Sequence, residues 1–429
     1  MKKERGIFLL KQHETSVRKE VMAGFIGFIT IAYIIAVNAL ILTEAGIPYE
    51  GAVLATIFAS FFGCALMAFW ANAPILLVPG MGINAMFTFT LVGSMGLSWQ
   101  EALAVVFVSG ILFVVVAFTR LSEVLSKAIP SSLKDAITVG LGLFLMLIGL
   151  EKGGIVTRGE DALIALGNFG DLTVIATILT LLVTLILFLR NIPGSFLWSI
   201  AFGTVLALIF QIEPTVESST LSLQSYSDVF GALSFSNLLS FPFFVGVFSV
   251  TMVLVFENIG LVHGHVDLLK QPEKYSKSFQ ANSISSMFSG VFGTSPTVST
   301  VETSAAIASG GRTGLTSLTT GVLFLASIFF IPYIKWIPNH AIAPILILIG
   351  GLMIQNIRHM ELKDLTEALP AIFIIAMIPF TYSIADGIAI GFILYPILKL
   401  ANGRGKEVSF SLYIIAGLFL MNFVAIHIS

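Results

Sequence analysis

Glu257 and Glu302 stand inside stretches that otherwise read as membrane interior. Hydrocarbon is costly for a charge, about 2.5–3.5 kcal/mol even on the mildest scales, so intramembrane carboxylates usually line the path of a solute or a proton. A carboxylate accepts two N–H donors of a planar ligand side by side. Glu257 follows Met252-Val253-Leu254-Val255-Phe256, toward the inner half of its apolar run. Glu302 stands where a short helical piece would begin, so the helix dipole favours its charge while burial opposes it. That opposition poises a carboxyl to gain and lose a proton. A permanent ion pair or a helix cap is the plainer role for either residue. No Lys or Arg lies within either apolar run, and Arg312 is the nearest cation to Glu302.

Two unusual segments must position these groups. One, 74–94, is broken by Pro74, Pro79, Gly80 and Gly82. The other, 294–309, is short and polar, with Pro296 among Ser and Thr. Backbone freed by Pro and Gly survives at membrane depth only where protein or water covers it. Gly80 to Asn84 and Thr300 to Ser304 can each open a half-helix whose free N–H groups point inward. Two such ends facing each other form a polar pocket suited to the ring nitrogens and carbonyls of a neutral solute.

The composition fixes the class. The chain has 429 residues, 56% hydrophobic and only 11% charged, against about 25% charged in soluble domains. This is an all-α polytopic membrane protein embedded in a lipid bilayer. The 22 Lys and Arg are scattered, without a basic stripe, so no nucleic-acid partner is expected. A single cysteine, Cys64, excludes an internal disulfide.

Apolar runs long enough to span cover roughly 21–43, 51–70, 99–119, 132–150, 171–189, 195–212, 241–261, 276–293, 314–334, 341–357 and 409–428. With the two broken segments and a stretch at 367–399 that divides near Pro379 to Ser383, the count is fourteen or fifteen. The basic start (Lys2, Lys3, Arg5, Lys11, Arg18, Lys19) reads as a cytoplasmic lead-in helix over 1–20, not a signal peptide. Arg120 and Lys127, then Lys270, Lys274 and Lys277, fall on the same side, whereas 213–240 has no Lys or Arg. The positive-inside rule then places the N-terminus in the cytoplasm. A two-fold design shows in the offsets. Asn258 repeats Asn38 after 220 residues, and Pro296 repeats Pro74 after 222. Paired interrupted segments point to a transporter site at the midplane.

Other motifs fall away. Ser309-Gly310-Gly311-Arg312-Thr313-Gly314 lacks the phosphate-loop pattern and reads as a tight turn. His263 and His265, near Asp267, read as loop histidines rather than a metal site. No metal or cofactor is expected. No Ser/His/Asp set or His-Glu-x-x-His motif supports an enzyme.

Three blocks together resemble nucleobase–cation symporters of the AzgA-like branch. The first is Ala71-Asn72-Ala73-Pro74 with Pro79-Gly80-Met81-Gly82-Ile83-Asn84-Ala85. The second is Glu302-Thr303-Ser304-Ala305-Ala306 with Gly310-Gly311-Arg312-Thr313-Gly314-Leu315-Thr316. The third is Pro379-Phe380-Thr381-Tyr382-Ser383-Ile384-Ala385-Asp386-Gly387-Ile388-Ala389 with Gly391-Phe392. The resemblance implies fourteen segments in two inverted seven-segment repeats, with segments 3 and 10 interrupted. Segments over 21–130 and 241–335 would form a core domain, and 131–240 and 336–429 a gate domain. It implies proton-coupled uptake of a purine, hypoxanthine, guanine or adenine, across the cell membrane. Glu257 would hold the base, Glu302 would hold it or support proton coupling, and backbone at Gly80 and Val301 would line the site. Asn84 and Asn38 complete the expected substrate-binding set. Leu261 occupies the place where uracil-transporting relatives carry His, which argues against a pyrimidine-type site. Dimers occur among similar folds, which allows a homodimer but leaves the oligomeric state open.

Alternating access fits this pattern, with the core carrying the site past the gate. An anion carrier of the same architecture would want a neutral or cationic site. A channel would want a continuous polar pore, whereas the polar residues here cluster at two broken segments.

Overall fold

The computed structural model describes residues 7–119, 121, 129–159, 162, 164–212, 226–334 and 336–428. Lys2, Lys3, Arg5, Arg120, Lys127 and the 213–225 part of the long loop lie outside the described residues.

The apolar runs become helices because a helix satisfies its own backbone in lipid. In order they are α1 (Val17–Glu44), α2 (Tyr49–Ala71), the strand β1 (Leu77–Pro79) with α3 (Met81–Ser94), α4 (Trp99–Phe118), α5 (Ser131–Lys152), α6 (Leu172–Leu189) and α7 (Ser195–Phe210). A small ribbon, β2 (Val156–Thr157) on β3 (Ala165–Leu166), follows α5. The second set is α8 (Phe241–Leu269), α9 (Tyr275–Phe292), the strand β4 (Thr297–Ser299) with α10 (Thr303–Ala308), α11 (Gly314–Ile334), α12 (Asn339–His359), α13 (Leu365–Thr381) and α14 (Ile384–Ala401). A last helix, α15 (Phe410–Ile428), follows the two sets. Among the described residues nine of these helices are long and apolar enough to cross a membrane.

Each set holds seven segments, an odd number, as two inverted repeats require. Packing obeys the same two-fold relation. Helix α1 packs on α11 as α8 packs on α4, and α5 packs on α13 as α12 packs on α6. Likewise α6 packs on α7 as α13 packs on α14.

Three boundaries differ from the sequence reading. The lead-in is not a helix over 1–20: turns occupy 7–14, and α1 begins at Val17, capped by Ser16, whose hydroxyl accepts the Lys19 N–H. Helix α8 continues eight residues past 261, because Val262, Val266 and Leu269 recur at helical spacing and are buried. His263 and His265 therefore stand on a helix, not in a loop. The 367–399 stretch is two helices joined at Tyr382-Ser383, with Tyr382 in the left-handed region at φ 56°. Helix α13, with 17 residues, is about 26 Å long, short of the roughly 30 Å hydrocarbon core.

Candidate functional site

The two interrupted segments meet as an antiparallel ribbon. Leu77 faces Ser299, Val78 faces Val298 and Pro79 faces Thr297. Every residue of both strands is buried. Extended backbone at this depth needs partners beyond one short ladder, and serine and threonine hydroxyls of the flanking helices supply them. On α11, Ser317 Oγ donates to the carbonyls of Ala73 and Ile75, both at 2.8 Å. On α9, Ser289 Oγ accepts the Thr297 N–H at 2.9 Å and Ser286 Oγ donates to the Thr297 carbonyl at 2.5 Å. The Leu76 N–H donates to Thr303 Oγ1 at 3.2 Å.

Gly80 closes the ribbon. Its N–H donates to the Pro296 carbonyl at 3.1 Å, and its own carbonyl accepts the Asn84 N–H at 2.8 Å, opening α3. A Cβ at Gly80 would lie 2.5 Å from Val298 Cγ2. With Val298 in place, a side chain at Gly80 would push against the facing strand.

Asn38 is fully buried, and its amide is engaged within the protein. Nδ2 donates to Thr56 Oγ1 at 2.7 Å and Thr294 Oγ1 at 2.9 Å, while Oδ1 accepts from Ser295 Oγ at 3.1 Å. It thus ties the first helix to the approach of β4. Asn258, its repeat counterpart, does similar work. Its Oδ1 accepts the Ser299 N–H at 3.1 Å and the Asn282 side-chain amide at 2.5 Å.

Helix α8 packs against β4, α10 and the start of α3, which brings Glu257 to the crossing. Glu257 Oε2 is buried and has no hydrogen-bond partner among the described residues. Asn84 Oδ1 and Thr300 Oγ1 are in the same condition. Asn84 belongs to the first turn of α3, and Thr300 follows β4 directly. Buried polar atoms are rarely left unpaired, so three around one crossing call for a solute or water. Two of the three are pure acceptors and the third is a hydroxyl that can also donate. Their complement is a hydrogen-bond donor, an N–H of a solute or a water.

Glu302 precedes the six-residue α10 without capping it. Its Oε1 instead accepts the Tyr33 hydroxyl at 2.6 Å. Tyr33 sits at the break in α1, with its ring edge-on to Phe196 of α7 at 4.9 Å. Val301, by contrast, is 58% exposed, and its carbonyl accepts from Ser304 Oγ at 2.6 Å. Tyr33 carried no signal of its own in a sequence so rich in aromatic residues, whereas Thr300 and Ser299 stood out only as members of the polar segment 294–309.

At the end of the molecule where α1 starts, a charged clasp joins the halves. Glu20, fully buried, accepts the Arg312 N–H at 3.0 Å, the Thr313 N–H at 3.2 Å and the Thr316 hydroxyl at 2.6 Å. Lys274, in the turn between α8 and α9, donates to the carbonyls of Asn72 and Arg312. Burial pushes its amine down to about 8, against the opposite pull of Glu20 and Glu273.

Comparison with known proteins places this architecture. Residues 18–390 match the Permease family. The chain is 49% identical over 381 residues to Nucleobase transporter PlAzg2 of Paenibacillus larvae, covering 88% of this chain and 76% of that protein. It is 38% identical over 430 residues to Guanine/hypoxanthine permease PbuO of Bacillus subtilis, covering 97% and 99%. Adenine permease AdeP of Escherichia coli is 34% identical over 432 residues, covering 98% and 96%. Among solved structures, the transmembrane domain of a cyanobacterial bicarbonate transporter, BicA, aligns with a TM-score of 0.66 at 16% identity, over 86% of this chain and 96% of that one. The murine anion transporter Slc26a9, in its inward-facing state, aligns with a TM-score of 0.68 at 10% identity, over 90% and 68%. At such identities the structures speak for the fold alone. The chain belongs to the Permease family, on the AzgA-like branch that its three motif blocks resemble.

Proposed function

We propose that this chain is a proton-coupled purine permease of the cell membrane, carrying hypoxanthine, guanine or adenine by elevator-type alternating access. The observation that carries the reading is the buried, unpartnered Glu257 Oε2 beside the ribbon crossing, with Asn84 Oδ1 and Thr300 Oγ1 equally unsatisfied. The names of the relatives, a nucleobase transporter and guanine/hypoxanthine and adenine permeases, support it.

In this reading Glu257 receives N–H groups of the base, and the backbone around Gly80 and Val301 lines the site. Asn84 faces the solute, and Asn38 holds the frame around it. Glu302 and Glu257 carry the coupling proton. An empty, ionised Glu257 is costly to move through the low-dielectric middle of the barrier, whereas a protonated or base-occupied one is cheaper. Solute and proton thus bias the same conformational exchange. The segments α1–α4 and α8–α11 form the moving core, α5–α7 and α12–α15 the gate, and the N-terminus lies in the cytoplasm.

Uptake of labelled hypoxanthine, guanine and adenine into proteoliposomes, with and without an imposed pH gradient, tests this. Gradient-driven accumulation of at least one base is expected. Flat uptake of all three under both conditions defeats the proposal. The fold likeness to anion carriers offers no equal rival, since a buried unpaired carboxylate disfavours an anion.

A further inference from the structure

His265 is the histidine on the buried face of α8, two turns beyond Glu257 and about 12 Å along the axis. It is 5% exposed, and its Nδ1 shares a proton with Ser299 Oγ at 2.9 Å. His263 and Asp267 stand largely exposed on the same helix and pair weakly with each other at 3.5 Å. No group of three His, Cys, Asp or Glu able to hold a metal exists among the described residues. His265 therefore needs another account.

Ser299 supplies it. This is the last residue of β4, and Thr300-Val301-Glu302 follow it. Two side chains of α8 grip it. Asn258 Oδ1 takes its backbone N–H at 3.1 Å, and His265 takes its hydroxyl. Asn258 and His265 are seven residues apart, two helical turns on one face. Asn258 directly follows Glu257. The grip thus fixes the helix that carries Glu257 against the turn that carries Thr300 and Glu302.

We infer that His265 is a positioning residue of the base site: through Ser299 it sets the distance between Glu257 on α8 and the Thr300–Glu302 turn, without touching the solute. The inference rests on the proposed purine site for its transport consequence, but the positioning itself does not. A two-point hold has a purpose where two site halves come from different elements, because a shift of about 1 Å between them costs a bound ligand much of its affinity.

Asn and Gln variants give a sharp test. The Asn amide places a polar atom near the Nδ1 position, whereas the Gln amide mimics Nε2. H265L and S299A should each raise the KM for the purine about tenfold, with turnover per folded carrier within twofold of the wild type. The double variant should be no worse than either single one, because both remove the same bond. H265N should recover most of the wild-type KM, and H265Q should not. Hydrogen–deuterium exchange over 296–304 reads the positioning with no solute present. It should quicken in H265L and S299A and return toward wild type in H265N. S299A keeps the test alive should H265L fail to fold. Unchanged exchange in S299A, equal defects in the Asn and Leu variants, or additive losses in the double variant would overturn the inference. A wild-type carrier that moves no purine, yet shows the exchange pattern, would instead strike the proposed substrate and leave the positioning role standing.

Discussion

Glu257 presents one buried carboxylate oxygen with no partner among the described residues, while Asn38 has every polar atom of its amide engaged. The two residues stand on counterpart helices of the repeat and should respond to substitution in opposite ways. Glu257→Gln keeps the shape but puts an amide N–H where an acceptor stood. A base N–H then meets a donor instead of a carboxylate. The loss of one charge-assisted hydrogen bond is about 1.5–3 kcal/mol, which weakens affinity roughly ten- to hundredfold. Equilibrium binding of labelled guanine or hypoxanthine to purified carrier measures it, with folded yield near wild type. Affinity unchanged by the Gln variant would remove Glu257 from the site. Tyr33 adds a second contrast at this scale. Glu302 has a hydroxyl donor within 2.6 Å where Glu257 Oε2 has none, so the two carboxylates are not equivalent.

Among the elements, the ribbon of β1 on β4 is the joint on which both site halves turn, and Gly80 is its tightest point. Gly80→Ala places a methyl 2.5 Å from Val298 Cγ2, so the Val298 side chain or the strand that carries it must shift. Uptake should fall at least about tenfold, the order of effect expected when site elements shift by about 1 Å. Val298→Ala in the same chain removes the opposing methyl and should restore much of the loss. A double variant as poor as Gly80→Ala alone would place the defect elsewhere. The ribbon was not legible in the chain. Three-residue strands show no alternation to detect, and their partners lie 220 residues apart. What could be read was the breakage itself, through Pro74, Pro79, Gly80 and Pro296, and the need of broken backbone for cover. The cover came from Ser286, Ser289 and Ser317, hydroxyls that resemble any others until the fold turns them inward. The long helices were legible to within a few residues because hydrocarbon leaves the backbone little choice. The end of helix α8 is not legible in the chain, since His263, Gly264 and Asp267 lower its hydropathy while Val262, Val266 and Leu269 keep it packed, so that His265 reads as a loop residue. The carboxylates were visible for the opposite reason: a charge in an apolar run has no bland background to merge with.

For the whole molecule, one group of contacts between the two proposed bodies lies at the end where α1 and α5 finish. Lys152, at the end of α5, pairs with Glu44 at the end of α1. The Ile384 N–H at the start of α14 donates to Thr90 Oγ1 of α3 at 3.0 Å. Phe89 of α3 lies edge-on to Phe144 of α5 at 5.8 Å and to Tyr382 at 6.1 Å, and within the gate the Tyr382 hydroxyl reaches Glu151. An elevator must break and remake such contacts on each cycle, and of them only the Glu44–Lys152 pair joins full charges across the divide. Glu44 is partly exposed, so the pair contributes only about 0.2–1 kcal/mol, and removing it shifts a two-state equilibrium by up to about fivefold. Reversal adds repulsion to that loss. Glu44→Lys or Lys152→Glu alone should therefore change the uptake rate several-fold at low salt and less at high salt, since partly exposed charges are screened. The swapped pair Glu44→Lys with Lys152→Glu restores attraction and should bring the rate back to within about twofold of wild type. A swapped pair as impaired as the single variants, at both ionic strengths, would mean that this end of the molecule is held by packing alone and that the ion pair plays no part in the exchange.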